Sequence, residues 1–198
     1  MSDSVAEAAP RTREAVHEHS VPGFGTVRVV PLDPAADAEL VHRWVSEERA
    51  RFWGMLGHTV EQVREIYAYV DSLTTHHAYL VHRDSVPVAL FQTYDPAADP
   101  VGECYQVEPG DFGAHLLLGP AGQEGPQAGF TAALLSALLG FCFREPGTRR
   151  LVVEPDARNL KAVQRMQQVG FLLGPVVDKP EKRAQLAFLP RTAYEQMF

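Results

Sequence analysis

The feature that most constrains the fold is a strand, a glycine-rich loop and an apolar helix that follow one another directly. Phe112–Leu118 is an apolar segment of strand length, bounded by Gly110 before it and Gly119 after it. Further glycines at 122, 125 and 129 lead into a helix that the apolar spacing predicts up to about residue 144. Another strand is predicted at Arg150–Glu154, so the order strand, helix, strand indicates a βαβ-like crossover and an α/β domain.

The rest of the chain extends this crossover into one domain. Further strands are predicted at Thr26–Val30, Ala78–His82, Val86–Tyr94, Cys104–Val107, Phe171–Val176 and Arg183–Leu189, and further helices at Pro34–Val45, from Thr59, and from Asp156 to Gly170. No repeat or linker divides the pattern, so we expect a single domain over residues 23–198. Residues 1–22 are polar and poor in large apolar groups, and we expect them to form a disordered tail.

Charge and cysteine content exclude several classes of function. The net charge is −7 and there is no basic run, which argues against nucleic acid as a partner. The longest apolar run, around Phe130–Phe143, is too short to span a bilayer, and the N-terminus has no apolar signal region. Cys104 and Cys142 lie far apart and match no metal spacing, and no set of histidines has zinc-ligand spacing. We therefore expect a soluble cytoplasmic protein with reduced thiols and no metal site.

Two polar residues at strand positions are candidates for chemistry. His115 lies inside an apolar strand, where a histidine is most often a core or edge residue, but its neighbour on the same face is Gly113, which leaves room for a ligand. Asp156 follows a strand and precedes a helix. It fits a helix N-cap, and such a position also faces the usual ligand crevice of α/β sheets.

The loop before the long helix is an anion site in principle. Backbone N–H groups at the start of a helix point outward, and glycines let a diphosphate approach closely. The loop Gly125–Gly129 has no Lys-Ser/Thr pair, which argues against a nucleoside-triphosphate site. Taken alone, the loop is better explained as an ordinary connection between a strand and a helix.

Longer motifs make the pattern specific. Gly110–Leu117, Val153–Asn159 (which contains Glu-Pro-Asp-Ala-Arg-Asn) and Val169–Phe171 together resemble the siderophore-biosynthesis branch of the GNAT superfamily, the N-acyltransferases of hydroxamate pathways. The resemblance runs from about Val27 to Leu189. It implies the GNAT fold: an α/β domain whose mixed, mostly antiparallel sheet has flanking helices and a splayed central strand pair.

The resemblance also implies roles for individual residues. His115 would be the general base and Asp156 its acidic partner. The acyl-CoA cofactor would be bound by Leu117, Gly125, Gln127, Ala128, Gly129, Phe130 and Asn159. The acceptor substrate would be bound by Trp44, Trp53, Gln92, Tyr94 and Arg158. The loop departs from the Arg-Gly-x-Gly form common in the branch, since Pro126 and Gln127 remove one amide donor and one cation.

The segments Phe91–Tyr94 and Val177–Leu189 are similar to the desferrioxamine-pathway members, which implies transfer of an acetyl or succinyl group from acetyl-CoA or succinyl-CoA to N-hydroxycadaverine. We expect direct transfer in a ternary complex, because neither cysteine stands beside a recognisable base. For a succinyl group, Arg51 or Arg158 would supply a cation. Three alternatives stay open: N6-hydroxylysine as acceptor, a GNAT enzyme of another substrate class such as the aminoglycoside acetyltransferases, and a non-catalytic binding domain. Monomer and homodimer also stay open.

Overall fold

Eight strands of the chain form one mixed sheet with helices on both faces. The structure is a computed structural model that describes residues 13–123 and 125–197. The strands are β1 His17–Val21, β2 Gly25–Pro31, β3 His76–Arg83, β4 Val86–Tyr94, β5 Asp111–Leu118, β6 Arg150–Val153, β7 Leu172–Asp178 and β8 Arg183–Pro190. The helices within these residues are α1 Pro34–Val45, α2 Val60–Asp71, α3 Phe130–Cys142, α4 Leu160–Gln168 and the short α5 Arg191–Tyr194.

The sheet has the strand order β1-β2-β3-β4-β5-β6-β8-β7. Neighbouring strands are antiparallel except β5 and β6, which are parallel and are joined by the α3 crossover. These two strands pair only from Asp111 opposite Arg150 to Gly113 opposite Val152. Beyond Gly113, β5 pairs with β4 alone as far as Leu118. The predicted α/β class and the splayed central pair are therefore confirmed.

Local sequence signals fix the first two helices as predicted. The side chain of Asp33 accepts hydrogen bonds from the N–H groups of Ala35 and Ala36, and Pro34 occupies the first turn, where a missing N–H costs nothing. At α2, Thr59 and Gln62 form the predicted capping box, in which each side chain accepts a hydrogen bond from the other residue's backbone N–H.

Apolar side chains fill a separate core on each face of the sheet. On one face, α3 places its apolar stripe, including Leu134 and Leu138, against Phe91 of β4 and Leu151 of β6. The opposite face is covered by α1 and α2; its buried members are Leu32, Val41, Trp44, Val45, Val63, Tyr67, Leu80 and Leu90. The two cores hold the central strands from both sides, so the gap between β5 and β6 opens inside the protein.

Two predicted segments differ from the structure. Residues 1–12 of the expected tail lie outside the described residues, but His17–Val21 form strand β1 along the edge of β2, so the prediction of disorder is wrong there. Backbone pairing with an existing strand does not require large apolar side chains, and the ring of His17 also lies 5.5 Å from that of Phe141. Cys104–Val107 is not a strand, because Asp99 caps a 3-10 turn over Pro100–Glu103 that redirects the chain.

Candidate active site

A cavity of about 450 Å³ occupies the gap where β5 and β6 separate. His115 and Leu117 of β5 line it, and so does Glu154, which directly follows β6. Apolar side chains of α3 and α4, among them Leu138 and Met166, line its other end. One part of the cavity is therefore polar and the other part is apolar. A polar part suits a reaction centre, and an apolar part suits the chain of a bound small molecule.

A short polar contact in the cavity joins His115 to Glu154. The Nε2 atom of His115 lies 2.5 Å from Oε1 of Glu154, across the mouth of the gap. The side chain of His115 is 28% exposed, whereas that of Glu154 is completely buried. Because an ionised carboxylate only accepts hydrogen bonds, Nε2 is the protonated nitrogen, and in the neutral ring Nδ1 is left as the acceptor. His115 can therefore contact a ligand, whereas Glu154 acts through His115.

Two lysines also bind the Glu154 carboxylate. Lys179 Nζ lies 3.2 Å from Oε1, and Lys182 Nζ lies 2.5 Å from Oε2. Burial by itself raises the pKa of the Glu154 carboxyl, but the hydrogen bond from His115 and the charges of His115, Lys182 and Lys179 outweigh it. The net result is a pKa well below the ordinary value, so Glu154 stays ionised through the neutral range.

The turn between β7 and β8 delivers both lysines. The Lys179 N–H donates to the Lys182 carbonyl at 2.8 Å, and the Lys182 N–H returns a longer bond of 3.3 Å, so the two side chains leave one tight turn. The side chain of Lys179 is only 4% exposed. The signal for this cluster in the sequence is an acidic residue at the end of an apolar strand, together with two lysines spaced by Pro180-Glu181.

Asp156 is not the partner of His115. Its Oδ1 accepts from the backbone N–H and Nε of Arg158 at 2.9 Å, and its Oδ2 accepts from Nη2 at 2.8 Å. The hydrogen bond from Arg158 lowers the pKa of the Asp156 carboxyl. Nor does Asp156 cap α4, which begins at Leu160 and is capped by Asn159 through a bond to the Ala162 N–H at 3.2 Å. The pattern correctly predicts an acidic residue at this strand end but chooses the wrong one of the two.

Trp53 and Gln92, which the resemblance assigns to the acceptor substrate, both line the cavity. Both donate to the hydroxyl group of Tyr67, at 3.3 Å from Trp53 Nε1 and 3.4 Å from Gln92 Nε2. Burial raises the pKa of Tyr67, which therefore keeps its proton. The sequence pattern predicts that Tyr67 lies on the buried face of a helix. It does not predict that the Tyr67 hydroxyl group connects two side chains of the cavity wall, because those side chains are distant along the chain.

Trp44 and Tyr94 do not line the cavity, contrary to the prediction. Trp44 is 4% exposed and belongs to the core under α1. Tyr94 is 3% exposed and lies beneath His115, with ring centroids 4.8 Å apart. A Cβ atom on Gly113 would lie 2.2 Å from the Tyr94 ring, so this glycine makes room for a tyrosine and not, as expected, for a ligand. Alternation along a strand cannot tell a pocket wall from a side chain packed one layer below it.

The predicted cofactor residues fall at two places. Leu117 lies in the part of β5 that has lost β6 as a neighbour, and Asn159 lines the cavity. Residues 125–130 precede and open α3, with Gly125 at φ 74° and Gly129 at φ 77°, and the helix has no side-chain cap and no acidic residue in its first turn. The Phe130 N–H donates a long bond of 3.3 Å to the Gln127 carbonyl. Arg158, assigned to the acceptor, lines the cavity mouth with a side chain 77% exposed.

Residues 13–123 and 125–197 contain neither a cluster of metal ligands nor a membrane-spanning helix. No group of three or more His, Cys, Asp or Glu side chains within these ranges could hold a metal ion. No helix in the same part of the chain is long and apolar enough to cross a membrane. The polar side chains that line the cavity belong to one histidine, to acidic and basic residues, and to the amides Gln92 and Asn159.

Three curated proteins are similar to the chain in sequence. It is 30% identical over 164 residues to N(6)-hydroxylysine O-acetyltransferase of Escherichia coli, covering 80% of the chain and 50% of that protein. It is 30% identical over 199 residues to the N(5)-hydroxyornithine:cis-anhydromevalonyl coenzyme A-N(5)-transacylase SIDF of Beauveria bassiana, covering 98% and 43%. It is 26% identical over 164 residues to the lysine N-acyltransferase MbtK of a Mycobacterium species, covering 82% and 66%. The chain thus spans about half the length of the first two relatives.

Solved structures support the same fold. An uncharacterized protein from Bacillus halodurans superposes with a TM-score of 0.82 at 24% identity, covering 92% of this chain and 95% of that one. The aminoglycoside acetyltransferase AAC(6')-Ib in complex with coenzyme A superposes with a TM-score of 0.74 at 24% identity, covering 86% and 98%. At this identity the two structures show the fold alone.

The family assignment follows from these matches. The sequence relatives confirm the resemblance to the siderophore-biosynthesis acyltransferases that the motifs indicate. The acetyltransferase (GNAT) domain family matches residues 33–179. The chain therefore belongs to the GNAT acetyltransferase family.

Proposed function

We propose that the chain is an acyl-CoA-dependent N-acyltransferase that acylates the hydroxylamine nitrogen of a small N-hydroxylated diamine or amino acid. The observation that carries the proposal is the His115–Glu154 pair, which stands where β5 and β6 part and lines the cavity between them. The names of two sequence relatives support this acceptor class, since one specifies hydroxylysine and the other hydroxyornithine. In the proposed reaction a histidine accepts a proton while a buried carboxylate holds its ring.

The chemistry suits a hydroxylamine acceptor. A hydroxylamine nitrogen is less basic than an alkylamine and is already neutral near pH 7, so it attacks the thioester carbonyl carbon without prior deprotonation. As the N–C bond forms, the nitrogen loses a proton to Nδ1 of His115. The C–S bond then breaks and the proton is returned to the departing CoA sulfur, giving a hydroxamate and free CoA. Proton transfer to a positioned base contributes typically ~10²–10⁴ in rate.

Backbone groups of β5 and of the loop before α3 complete the proposed site. The N–H of Gly119 donates to the Val88 carbonyl of β4, so by alternation along the strand the N–H of Leu116 faces the gap that β6 leaves. It would donate to the oxyanion of the tetrahedral intermediate. The loop Gly125–Phe130 at the positive end of α3 would hold the pyrophosphate of CoA through the N–H groups of Gln127, Ala128 and Gly129. Asn159, at the start of α4, would lie beside the pantetheine arm.

For the acceptor we propose N-hydroxycadaverine, which the sequence similarity to desferrioxamine-pathway enzymes favours. Its five-carbon chain would lie along the apolar ring of Trp53, at roughly 0.8 kcal/mol per buried methylene. Gln92, held by Tyr67, would lie near its polar end. The donor would be acetyl-CoA or succinyl-CoA.

A second acceptor, N6-hydroxylysine, is favoured by two cations at the cavity mouth. The guanidinium groups of Arg51 and Arg158 lie 4.6 Å and 5.8 Å from the ring centre of Phe52. N6-hydroxylysine differs from N-hydroxycadaverine by one α-carboxylate, which such cations would bind. The carboxylate of a succinyl donor would use the same place, so the two arginines support either a carboxylate on the acceptor or one on the donor.

A polycationic acceptor such as an aminoglycoside fits the cavity poorly. The basic side chains that line it are Arg49, Arg51, Arg158, Lys179 and Lys182. Its carboxylates are Glu154, Asp156 and Glu181, and each of them already has a cationic partner. A binding site for several ammonium groups would need an excess of acidic side chains, which these residues do not provide.

Product analysis with matched acceptors tests the proposal. The chain is incubated with acetyl-CoA or succinyl-CoA and with N-hydroxycadaverine, N6-hydroxylysine or plain cadaverine, and products are measured by mass spectrometry. Addition of ferric iron separates N-acylation from O-acylation, because a hydroxamate forms a coloured ferric complex and an O-acyl hydroxylamine does not. We expect a hydroxamate from one of the two hydroxylamines and little product from cadaverine. No product from either hydroxylamine with either donor would refute the proposal.

A further inference from the structure

One arginine outside the cavity lies beside the loop that precedes α3. Arg83 is the last residue of β3, and its Nη1 donates to Oε1 of Gln127 at 2.8 Å. Its Nε donates to the Phe24 carbonyl at 2.6 Å. The guanidinium lies 4.4 Å from the ring centre of Phe24 and 5.8 Å from that of Phe130, the first residue of α3. Four contacts thus fix the orientation of this side chain next to the helix start.

The charge of Arg83 has no balance in the described part of the chain. No carboxylate among residues 13–123 and 125–197 lies within ion-pair distance of it. The neighbouring helix end carries a partial positive charge, and the first turn of α3 has no acidic residue to offset it. A fixed cation at a positive helix end is unfavourable unless an anion lies between them. Of the five N–H bonds of the guanidinium, two are used by Phe24 and Gln127, which leaves three to bind that anion.

The sequence explains why an arginine would be needed here. The loop Gly125–Gly129 contains no lysine or arginine and Pro126 has no backbone N–H, so the loop supplies no cation of its own and lacks one amide donor. We infer that Arg83 supplies the missing cation and binds the phosphate groups of acyl-CoA, with Gln127 holding the guanidinium in place. The inference rests on the proposed use of acyl-CoA and assigns a CoA-binding role to a residue of a neighbouring strand.

Equilibrium binding to truncated cofactors tests this role. Calorimetric titrations with coenzyme A and with pantetheine, which lacks all phosphates, are compared for the wild type, Arg83→Gln and Arg83→Lys. A lost hydrogen-bonded charge pair weakens binding by roughly 10- to 100-fold. We therefore expect Arg83→Gln to lose that factor for coenzyme A and to keep wild-type affinity for pantetheine. Arg83→Lys, which keeps the charge, should recover part of the loss.

Arg64→Gln is the matched control, since Arg64 is an exposed residue of α2, which covers the face of the sheet opposite α3. It removes the same charge away from the loop and should leave coenzyme A affinity unchanged. Unchanged coenzyme A affinity in Arg83→Gln would overturn the inference. An equal loss for coenzyme A and pantetheine would also overturn it, because it would indicate a packing role beside Phe24. If the wild type binds no coenzyme A, the proposed function itself fails, and this outcome is distinct from the other two.

Discussion

Replacing Glu154 by glutamine should destabilise the protein strongly, because its carboxylate is the common partner of three basic side chains. His115, Lys179 and Lys182 lie 2.5, 3.2 and 2.5 Å from its oxygens, and the Glu154 side chain has no exposed surface. Removing one member of a buried ion pair costs about 3–5 kcal/mol. That is a large share of the roughly 5–15 kcal/mol that stabilises a typical domain. Glu154→Gln should therefore lower the free energy of unfolding by about 3–5 kcal/mol at pH 7.

The same substitution predicts a definite pH dependence. The pKa of Glu154 in the folded protein is held below its unfolded value of about 4.3. A depressed carboxyl pKa gives stability that is present above the unfolded pKa and is lost as the pH falls through the folded pKa. The difference in unfolding free energy between the wild type and Glu154→Gln should thus be fully present at pH 7. It should shrink steadily below about pH 4.3.

Urea unfolding followed by the fluorescence of Trp44 and Trp53 measures the loss of unfolding free energy and its dependence on pH. The matched control is Asp178→Asn at the end of β7, because the side chains of Asp178 and its partner Arg183 are 82% and 73% exposed. An exposed pair contributes about 0–1 kcal/mol, so this variant should be nearly as stable as the wild type. Equal losses in the two variants, or a Glu154 effect that does not change between pH 7 and pH 3, would refute the reasoning about the buried cluster.

Three other substitutions or treatments probe the surroundings of the site. Tyr67→Phe should raise the KM for the acceptor several-fold and lower the free energy of unfolding by about 0.5–1.5 kcal/mol, because it removes the hydrogen bond that holds Trp53. An unchanged KM in steady-state kinetics would argue against this positioning role. Gly113→Ala should lower the free energy of unfolding by about 1–3 kcal/mol, because a Cβ atom there would lie 2.2 Å from the Tyr94 ring. A variant as stable as the wild type in thermal unfolding would contradict the close packing. Burial raises the pKa of the Cys142 thiol to about 12, so iodoacetamide at pH 8 should not label it in the folded protein, and labelling detected by peptide mass spectrometry would contradict that burial.

Much of the fold could be predicted from local patterns. The bounds of α1 and β4 agree with the predicted Pro34–Val45 and Val86–Tyr94, because an Asp–Pro helix start and a nearly continuous apolar run are decided by neighbouring residues. The splayed pair follows from the resemblance and is visible as pairing that ends at Gly113. The strand His17–Val21 was missed because its stability comes from a partner strand and not from its own composition.

The sequence could predict that the histidine lies at the site, but it could not predict which acidic and basic side chains contact it. His115 stands out as a polar residue in an apolar strand, and the structure places it on the cavity. Choosing Glu154 over Asp156 requires knowing where β6 ends relative to β5, which is a tertiary fact that spacing along the chain does not contain. The lysines of the β7–β8 turn are distant in sequence from His115, so only the folded sheet brings them to the same carboxylate.

The measurement that tests the central claim most directly is the turnover of His115→Gln with its hydroxylamine acceptor. Glutamine removes the ring nitrogen that accepts the proton, and CoA binding uses other residues in this account. We predict that kcat falls by on the order of 10²–10⁴ while the affinity for coenzyme A measured by calorimetry stays within a few-fold of the wild type. A variant that folds, binds coenzyme A and forms the hydroxamate at the wild-type rate would contradict the assignment of His115 as the base.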